Sequence, residues 1–109
     1  MEESFFERGM LAVRAYLDHV GMLVADQGKK HFIAYDADRC VYVKVEVSKP
    51  SQGIPNTPAE RTIKSYLKQV AAWGAKHGAT ADMQYAVDLV TIMVIADDKA
   101  LLRHHRNIG

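Results

Sequence analysis

The chain has 109 residues, a formal net charge of +1 and 49% hydrophobic residues. This length suits a single domain over residues 1–109, and the composition is that of a globular protein rather than a disordered or fibrous one. So small a net charge excludes strong attraction to nucleic acid by the chain as a whole. Nucleic-acid binding would need Lys and Arg side chains gathered on one face.

The cysteine content and the first residues indicate the compartment. Cys40 is the only cysteine, which excludes an internal disulfide and a cysteine-based zinc cluster. The first residues, MEESFFERG, lack the basic and apolar regions of a signal peptide, and no apolar run approaches the roughly 20 residues of a membrane span. We therefore expect a cytoplasmic protein with no membrane partner.

The first predicted element is a helix over residues 4–20. Ser4 and Glu7 have the spacing of a capping box, and Gly21 suits a left-handed residue after the last turn. Apolar residues recur at steps of three and four and predict one buried stripe: Phe6, Met10, Val13, Leu17 and Val20. Residues 22–26 then form a short strand candidate.

Residues 31–47 predict a β-hairpin, HFIAY and CVYVKVEV joined by the four residues DADR. Because paired positions in a hairpin have a constant sum, residue 35 should face 40, residue 33 should face 42, and residue 31 should face 44. Side chains alternate between the faces of a sheet. One face therefore carries the core residues Phe32, Ala34, Val41, Val43, Val45 and Val47, and the other carries His31, Ile33, Tyr35, Cys40, Tyr42, Lys44 and Glu46.

A second helix is predicted over residues 57–77, with a capping box of Thr57 and Glu60, Pro58 at its first position, and Gly78 at its end. Its apolar side comprises Ile63, Tyr66, Leu67, Val70 and Trp73. Residues 84–96 are apolar on both alternating faces, which is typical of an internal strand covered by helices on both sides. The predicted order is α-β-β-β-α-β, a mixed sheet flanked by helices, with residues 97–109 left unassigned.

Three titratable residues fall at one end of the second hairpin face: His31, Lys44 and Glu46. Such a cluster is a candidate site because each group shifts the pKa of the others. It is equally an ordinary pairing at a sheet end, which the spacing favours. Other candidates are weaker: Cys40 is expected to be a small apolar filler, and the adjacent His104 and His105 should point in different directions. Asp88, inside an apolar strand, must be hydrogen-bonded.

Several motifs resemble those of the YraN-like endonuclease family. The family pattern G-E-I-D-L-I-A-x-D followed by V-F-V-E-V-K aligns with GKKHFIAYD and VYVKVEV without a gap. Gly9, Tyr16 and Leu17 fit its first helix, Asp88 fits the Asp of its F-D-V-V strand, and RHHRN fits its closing H-x-x-N stretch. The resemblance implies a restriction-endonuclease-like PD-(D/E)XK fold and spans nearly the whole chain.

The differences from the family fall on the positions that carry its chemistry. The resemblance implies an Asp and a Glu that hold a divalent ion and a Lys that activates water, and these positions are His31, Lys44 and Glu46 here. A further family glutamate corresponds to Met10. Mg²⁺ requires oxygen ligands, which an ammonium cannot supply, and Glu46 lies two residues, or about 6.6 Å, from the family Glu position.

We therefore expect a catalytically degenerate nuclease-like protein that acts as a nucleic-acid-binding or assembly module, with no cofactor and with DNA as a weak partner. Arg61, Lys64 and Lys68 form a basic stripe on the second helix, and Lys29, Lys30 and Lys49 lie on nearby loops. A solvated helix face is the plain alternative for the stripe. The first functional alternative is a Holliday-junction-resolvase-like endonuclease that uses Mg²⁺, Mn²⁺ or another transition metal. Its metal centre would be rebuilt from His31, Glu46, Glu7 or Asp36. The second alternative is a protein–protein module or homodimer.

Overall fold

The fold is α/β and is built on one five-stranded mixed sheet. A computed structural model describes residues 4–52, 57–96 and 98–109. In chain order the elements are α1 (Phe5–His19), β1 (Leu23–Gln27), β2 (His31–Asp36), β3 (Arg39–Ser48), a 3₁₀ turn (Pro50–Gln52), α2 (Glu60–Lys76), β4 (Gln84–Ala96) and β5 (Lys99–His105). The predicted order of elements is confirmed, and the unassigned C-terminal residues contribute the fifth strand.

The strands lie in the sheet in sequence order, β1-β2-β3-β4-β5. All neighbours are antiparallel except β3 and β4, which run parallel. A parallel pair needs a long crossover connection, and α2 lies in that connection. β3 is therefore the central strand, with a hydrogen-bonded neighbour on each edge.

The hairpin of β2 and β3 has the predicted register, with His31 opposite Lys44 and Tyr35 opposite Cys40. The predicted four-residue connection is wrong, because Asp36 and Arg39 also pair and leave only two residues in the turn. Ala37 in that turn has a φ of 56°, in the left-handed region. The strands therefore extend one pair further than the apolar pattern indicates.

The two faces of the sheet form two separate cores. α1 covers the face that holds Phe32, Val41 and Val43, with Met10, Val13 and Leu17 buried against it. α2 covers the opposite face, where Ile63 and Val70 pack on Ile33, Cys40 and Tyr42. Both predicted helix stripes are confirmed except for Val20, which lies beyond α1 at its C-cap and is 38% exposed.

The helix ends agree with the sequence in three of four places. Ser4 and Glu7 form the predicted capping box, and Gly21 and Gly78 adopt positive φ after the two helices. The capping box predicted for α2 is wrong. The N-cap of α2 is Ala59, with no side-chain hydrogen bond, so Thr57 lies two residues too early to cap the helix.

Close approach of α1 to β3 predicts that Gly9→Ala destabilises the fold. A Cβ at Gly9 would lie 2.5 Å from Cγ2 of Val47, a branched and therefore stiff side chain. Overpacking costs about 1–3 kcal/mol, against a gain of about 1 kcal/mol in helix propensity, so we expect a net loss of up to about 2 kcal/mol in the free energy of unfolding by urea titration.

Leu11→Ala, at a neighbouring exposed position, is the control and should change the free energy of unfolding by less than Gly9→Ala. In a Val47→Ala background the cost of Gly9→Ala should largely disappear. An equal cost in both backgrounds would contradict the proposed contact.

Candidate functional site

The three titratable residues predicted at the hairpin end do lie together, on the face of the sheet that α2 covers. His31 and Lys44 are directly opposite each other across β2 and β3, and Glu46 follows two residues later on the same face of β3. The backbone fixes this end of the hairpin, since the N–H of Val45 donates to the carbonyl of Lys30 at 3.0 Å. Pairing register therefore sets the positions of all three groups.

The ammonium of Lys44 pairs with the carboxylate of Glu46. The distance from Nζ to Oε1 is 3.7 Å, and the Lys44 side chain is 12% exposed against 39% for Glu46. Burial lowers the pKa of Lys44, the negative charge of Glu46 partly opposes that shift, and the positive charge of Lys30 adds to it. The positive charge of Lys44 and the negative charge of Glu46 thus neutralise each other within the same strand.

His31 is fixed between aromatic and backbone neighbours. Its ring stacks on Tyr42 at a centroid distance of 4.3 Å, and Tyr42 stacks in turn on Tyr66 of α2 at 4.4 Å. A Cβ at Gly28 would overlap the imidazole, so the loop backbone approaches the ring closely. These contacts hold the ring of His31 in one position and link the hairpin to α2.

Burial dominates the acid–base properties of this stack. It lowers the pKa of His31, which Asp26 partly raises and Lys44 lowers further. Burial, with a contribution from Tyr66, raises the pKa of Tyr42 to about 12. Both rings are therefore held toward their neutral forms.

The residues considered for a rebuilt metal centre are spread over the molecule. Glu7 belongs to α1, on the other face of the sheet, where its side chain accepts from the N–H of Ser4. Asp36 lies at the opposite end of the hairpin from His31 and pairs with Arg39 and Arg106. Within residues 4–52, 57–96 and 98–109, no group of three or more His, Cys, Asp or Glu side chains is arranged to hold a metal ion.

The predicted basic residues lie in three places rather than on one surface. Arg61, Lys64 and Lys68 are exposed on the outer side of α2 and line a shallow groove of about 520 Å³ with Glu60 and Ser65. Nζ of Lys64 lies 3.5 Å from Oε1 of Glu60, so the stripe is partly neutralised within the helix.

The three loop lysines lie on two separate loops. Lys29 and Lys30 are exposed in the turn between β1 and β2, and Lys30 is near enough to Lys44 to lower the pKa of that ammonium. Lys49 instead lies with Nζ 5.1 Å from the centroid of the Phe5 ring, at the start of α1. Lys29 and Lys30 therefore adjoin the His31 cluster, but they also line a pocket of about 590 Å³ with Glu7 and Met10 of α1, the helix that Lys49 lies against.

A second polar cluster joins residues that are far apart in the sequence. Nε2 of His104 lies 2.7 Å from Oδ2 of Asp88, and Nδ1 of His104 lies 2.8 Å from the hydroxyl of Tyr16. The backbone N–H of Asn107 donates to the second oxygen of Asp88 at 2.8 Å. Because a carboxylate only accepts, Nε2–H of His104 donates to Asp88, and in the neutral imidazole Nδ1 accepts from Tyr16.

This cluster, which we call the Asp88 network, is buried between α1, β4 and β5. The side chain of Asp88 is fully buried and that of His104 is 6% exposed. The sequence predicted that Asp88 must be hydrogen-bonded and that His104 and His105 diverge, and both predictions are confirmed, since His105 is exposed. The identity of the partners was missed, because no local pattern links residue 16 to residue 104.

Cys40 has the environment predicted for it. It is 1% exposed, pairs with Tyr35 across the hairpin, and packs in the core beneath α2. Burial raises the pKa of its thiol, which opposes thiolate formation.

Comparison with known proteins adds no relative: no protein-family model matches the chain, and no curated protein sequence is significantly similar to it. Among the described residues, no helix is long and apolar enough to cross a membrane.

Removal of the Tyr16 hydroxyl tests the Asp88 network. In Tyr16→Phe, Nδ1 of the buried His104 loses its donor, and an unpaired buried polar group costs about 1–3 kcal/mol. We expect that loss in the free energy of unfolding. The same substitution in a His104→Ala background should cost much less, and equal costs in the two backgrounds would show that Tyr16 acts through apolar packing alone.

Proposed function

We propose that the chain is a catalytically inactive protein of restriction-endonuclease-like fold, and that it binds the DNA backbone without metal-dependent cleavage. The observation that carries the proposal is the half-buried ammonium of Lys44, paired with Glu46, at the position where the resemblance implies a metal-binding glutamate. Three features of the molecule support it: the arrangement of the fold, the electrostatics at Lys44, and the basic residues around that side chain.

The arrangement of strands and helices supports the fold assignment. A helix precedes a three-stranded antiparallel meander, and a second helix then leads into a strand parallel to the third. Four residues that match the family's motifs, Tyr16, Asp88, His104 and Asn107, also meet in one hydrogen-bonded network. They come from separate segments, so this convergence favours the resemblance over a chance match of short motifs.

Electrostatics at Lys44 argues against a magnesium centre. A divalent ion placed about 4 Å from an ammonium would be repelled by roughly 8 kcal/mol at an effective dielectric constant of about 20. Although burial lowers the pKa of Lys44, a neutral amine still supplies no oxygen ligand to Mg²⁺. Of the three clustered residues, only Glu46 then remains as a hard ligand.

Charge distribution supports a weak interaction with DNA. Lys29 and Lys30 are exposed beside the altered site, and Arg61, Lys64 and Lys68 are exposed along α2. Binding that depends on a few phosphate contacts releases few counterions, so it should be weak at physiological salt and stronger at low salt. The net charge of +1 is consistent with such weak binding.

The cleavage assay and the binding assay together test the proposal. Incubation with plasmid or branched DNA and Mg²⁺ or Mn²⁺ should give no cleavage, because the ammonium of Lys44 opposes a cation. Labelled duplex DNA should nevertheless bind at low salt, as measured by fluorescence anisotropy. Arg61→Ala/Lys64→Ala/Lys68→Ala should weaken that binding and reduce the slope of log affinity against log salt by about 0.9 for each phosphate that the variant no longer neutralises.

A triple variant with the same change in charge provides the control. Arg8, Lys99 and Arg103 are exposed and lie on α1 and β5, so their replacement by Ala should affect binding less. Metal-dependent cleavage that is abolished in Glu46→Ala would overturn the proposal in favour of an active nuclease. No binding even at low salt would instead favour the protein–protein module or homodimer.

A further inference from the structure

A group of aromatic side chains lies at the C-terminal end of α2, beyond the basic stripe. The ring of His77 stacks on that of Trp73 with centroids 3.9 Å apart, and Trp73 contacts Tyr35 of β2 at 6.0 Å. Tyr35 and Trp73 are half-buried, whereas His77 is exposed. The outermost ring of this stack, which we call the Trp73 platform, therefore presents a planar surface to solvent.

Hydrogen bonds hold the two outer rings in place. Nδ1–H of His77 donates to the backbone carbonyl of Trp73 at 2.7 Å, and Nε1–H of Trp73 donates to Oδ2 of Asp26 at 2.9 Å. A ring that is already ordered loses little conformational entropy when another planar group stacks on it. The Trp73 platform is therefore preorganised for such a contact.

Positive charge leads from the basic stripe to the platform. Lys68 and Lys76 are exposed and lie two turns apart on α2, about 12 Å along the axis, and Lys76 directly precedes His77. Asp26 is the acidic group that contacts the platform, and it repels phosphates from the edge of Trp73. The arrangement thus fits backbone phosphates along the lysines and an uncharged ring on the platform.

The chemistry of this surface selects among forms of DNA. Aromatic and imidazole rings bind nucleic acid by stacking on bases, and the base faces in a duplex are already occupied by their neighbours. An exposed ring at the end of a row of cations therefore suits a strand whose bases are unpaired. Stacking tolerates any base, so little sequence preference is expected.

We propose that α2 binds single-stranded DNA, with phosphates along Arg61, Lys64, Lys68 and Lys76 and one base stacked on the Trp73 platform through His77. This inference rests on the proposed DNA-binding function and deepens it by naming the form of DNA. It predicts that DNA with accessible bases is held more tightly than a duplex or than a backbone without bases.

Two oligonucleotides of equal length separate stacking from backbone attraction: oligothymidylate and an abasic strand with the same number of phosphates. Binding is measured by anisotropy of the labelled strands and by the fluorescence of Trp73, the only tryptophan of the chain. Oligothymidylate should bind at least about fivefold more tightly than the abasic strand, and it should quench Trp73.

Substitutions of His77 test whether this residue causes the preference for oligothymidylate. Because His77 is exposed, they should disturb the hydrophobic core little. His77→Ala should remove most of the preference for oligothymidylate and leave abasic binding unchanged, whereas His77→Tyr should retain the preference because a ring is kept. His105→Ala, an exposed histidine on β5, is the matched control and should behave as the wild type. Circular dichroism and melting temperature establish that each variant is folded.

Failure of this inference is distinguishable from failure of the proposed function. Equal binding of both oligonucleotides, or a preference that survives in His77→Ala, would overturn the stacking model and leave backbone binding intact. Tighter binding of a duplex, or of oligouridylate, would overturn the assignment to single-stranded DNA. Absence of any DNA binding at low salt would overturn both proposals.

Discussion

The position of β3 is the constraint on which the rest of the molecule depends. It pairs antiparallel with β2 and parallel with β4, and helices cover both of its faces. A strand with no free edge and no free face can carry polar side chains where its ends approach solvent or where buried partners satisfy them. Lys44 and Glu46 lie in the C-terminal half of β3, where the pairing with β2 ends, and their mutual neutralisation lets Lys44 remain largely buried there.

The same constraint explains why the chemistry of the site is so sensitive to residue order. Two positions on one strand face are separated by about 6.6 Å, and the cross-strand register fixes which side chain each of them meets. Under the proposed assignment, exchange of an acid and a base between such positions keeps the charge and moves the carboxylate away from the place of the metal-binding glutamate. The proposed loss of cation binding is therefore compatible with a stable fold.

The Asp88 network has a corresponding role on the other face. It ties α1 to the two C-terminal strands through one buried carboxylate and one buried imidazole. Its members satisfy one another, so a polar group on a buried strand is accommodated without water. We interpret the network as a structural link that keeps the edge strand β5 attached, rather than as a second reactive site.

Elements with strong periodicity could be predicted from the sequence, and those that depend on distant partners could not. Alternation in residues 31–47 determines the hairpin register because a slip of one residue would exchange its two faces. β5 was missed since its outer face is exposed and its apolar residues do not alternate clearly. The N-terminus of α2 was misplaced because Thr57, Pro58 and Glu60 have the spacing of a capping box without its geometry. The periodicity of α2 predicts Trp73 only as a residue of the apolar side of the helix. It does not predict the stacking of His77 on Trp73, because hydrophobic periodicity carries no information on contacts between rings.

The central claim is that Lys44 and Glu46 form a closed ion pair that leaves no place for a divalent cation. Anomalous diffraction from crystals soaked in Mn²⁺ tests this claim most directly. We expect the contact between Lys44 and Glu46 to persist, with no ion between Glu46 and His31. An ion held there by oxygen ligands in octahedral geometry, with the ammonium of Lys44 displaced, would contradict the account.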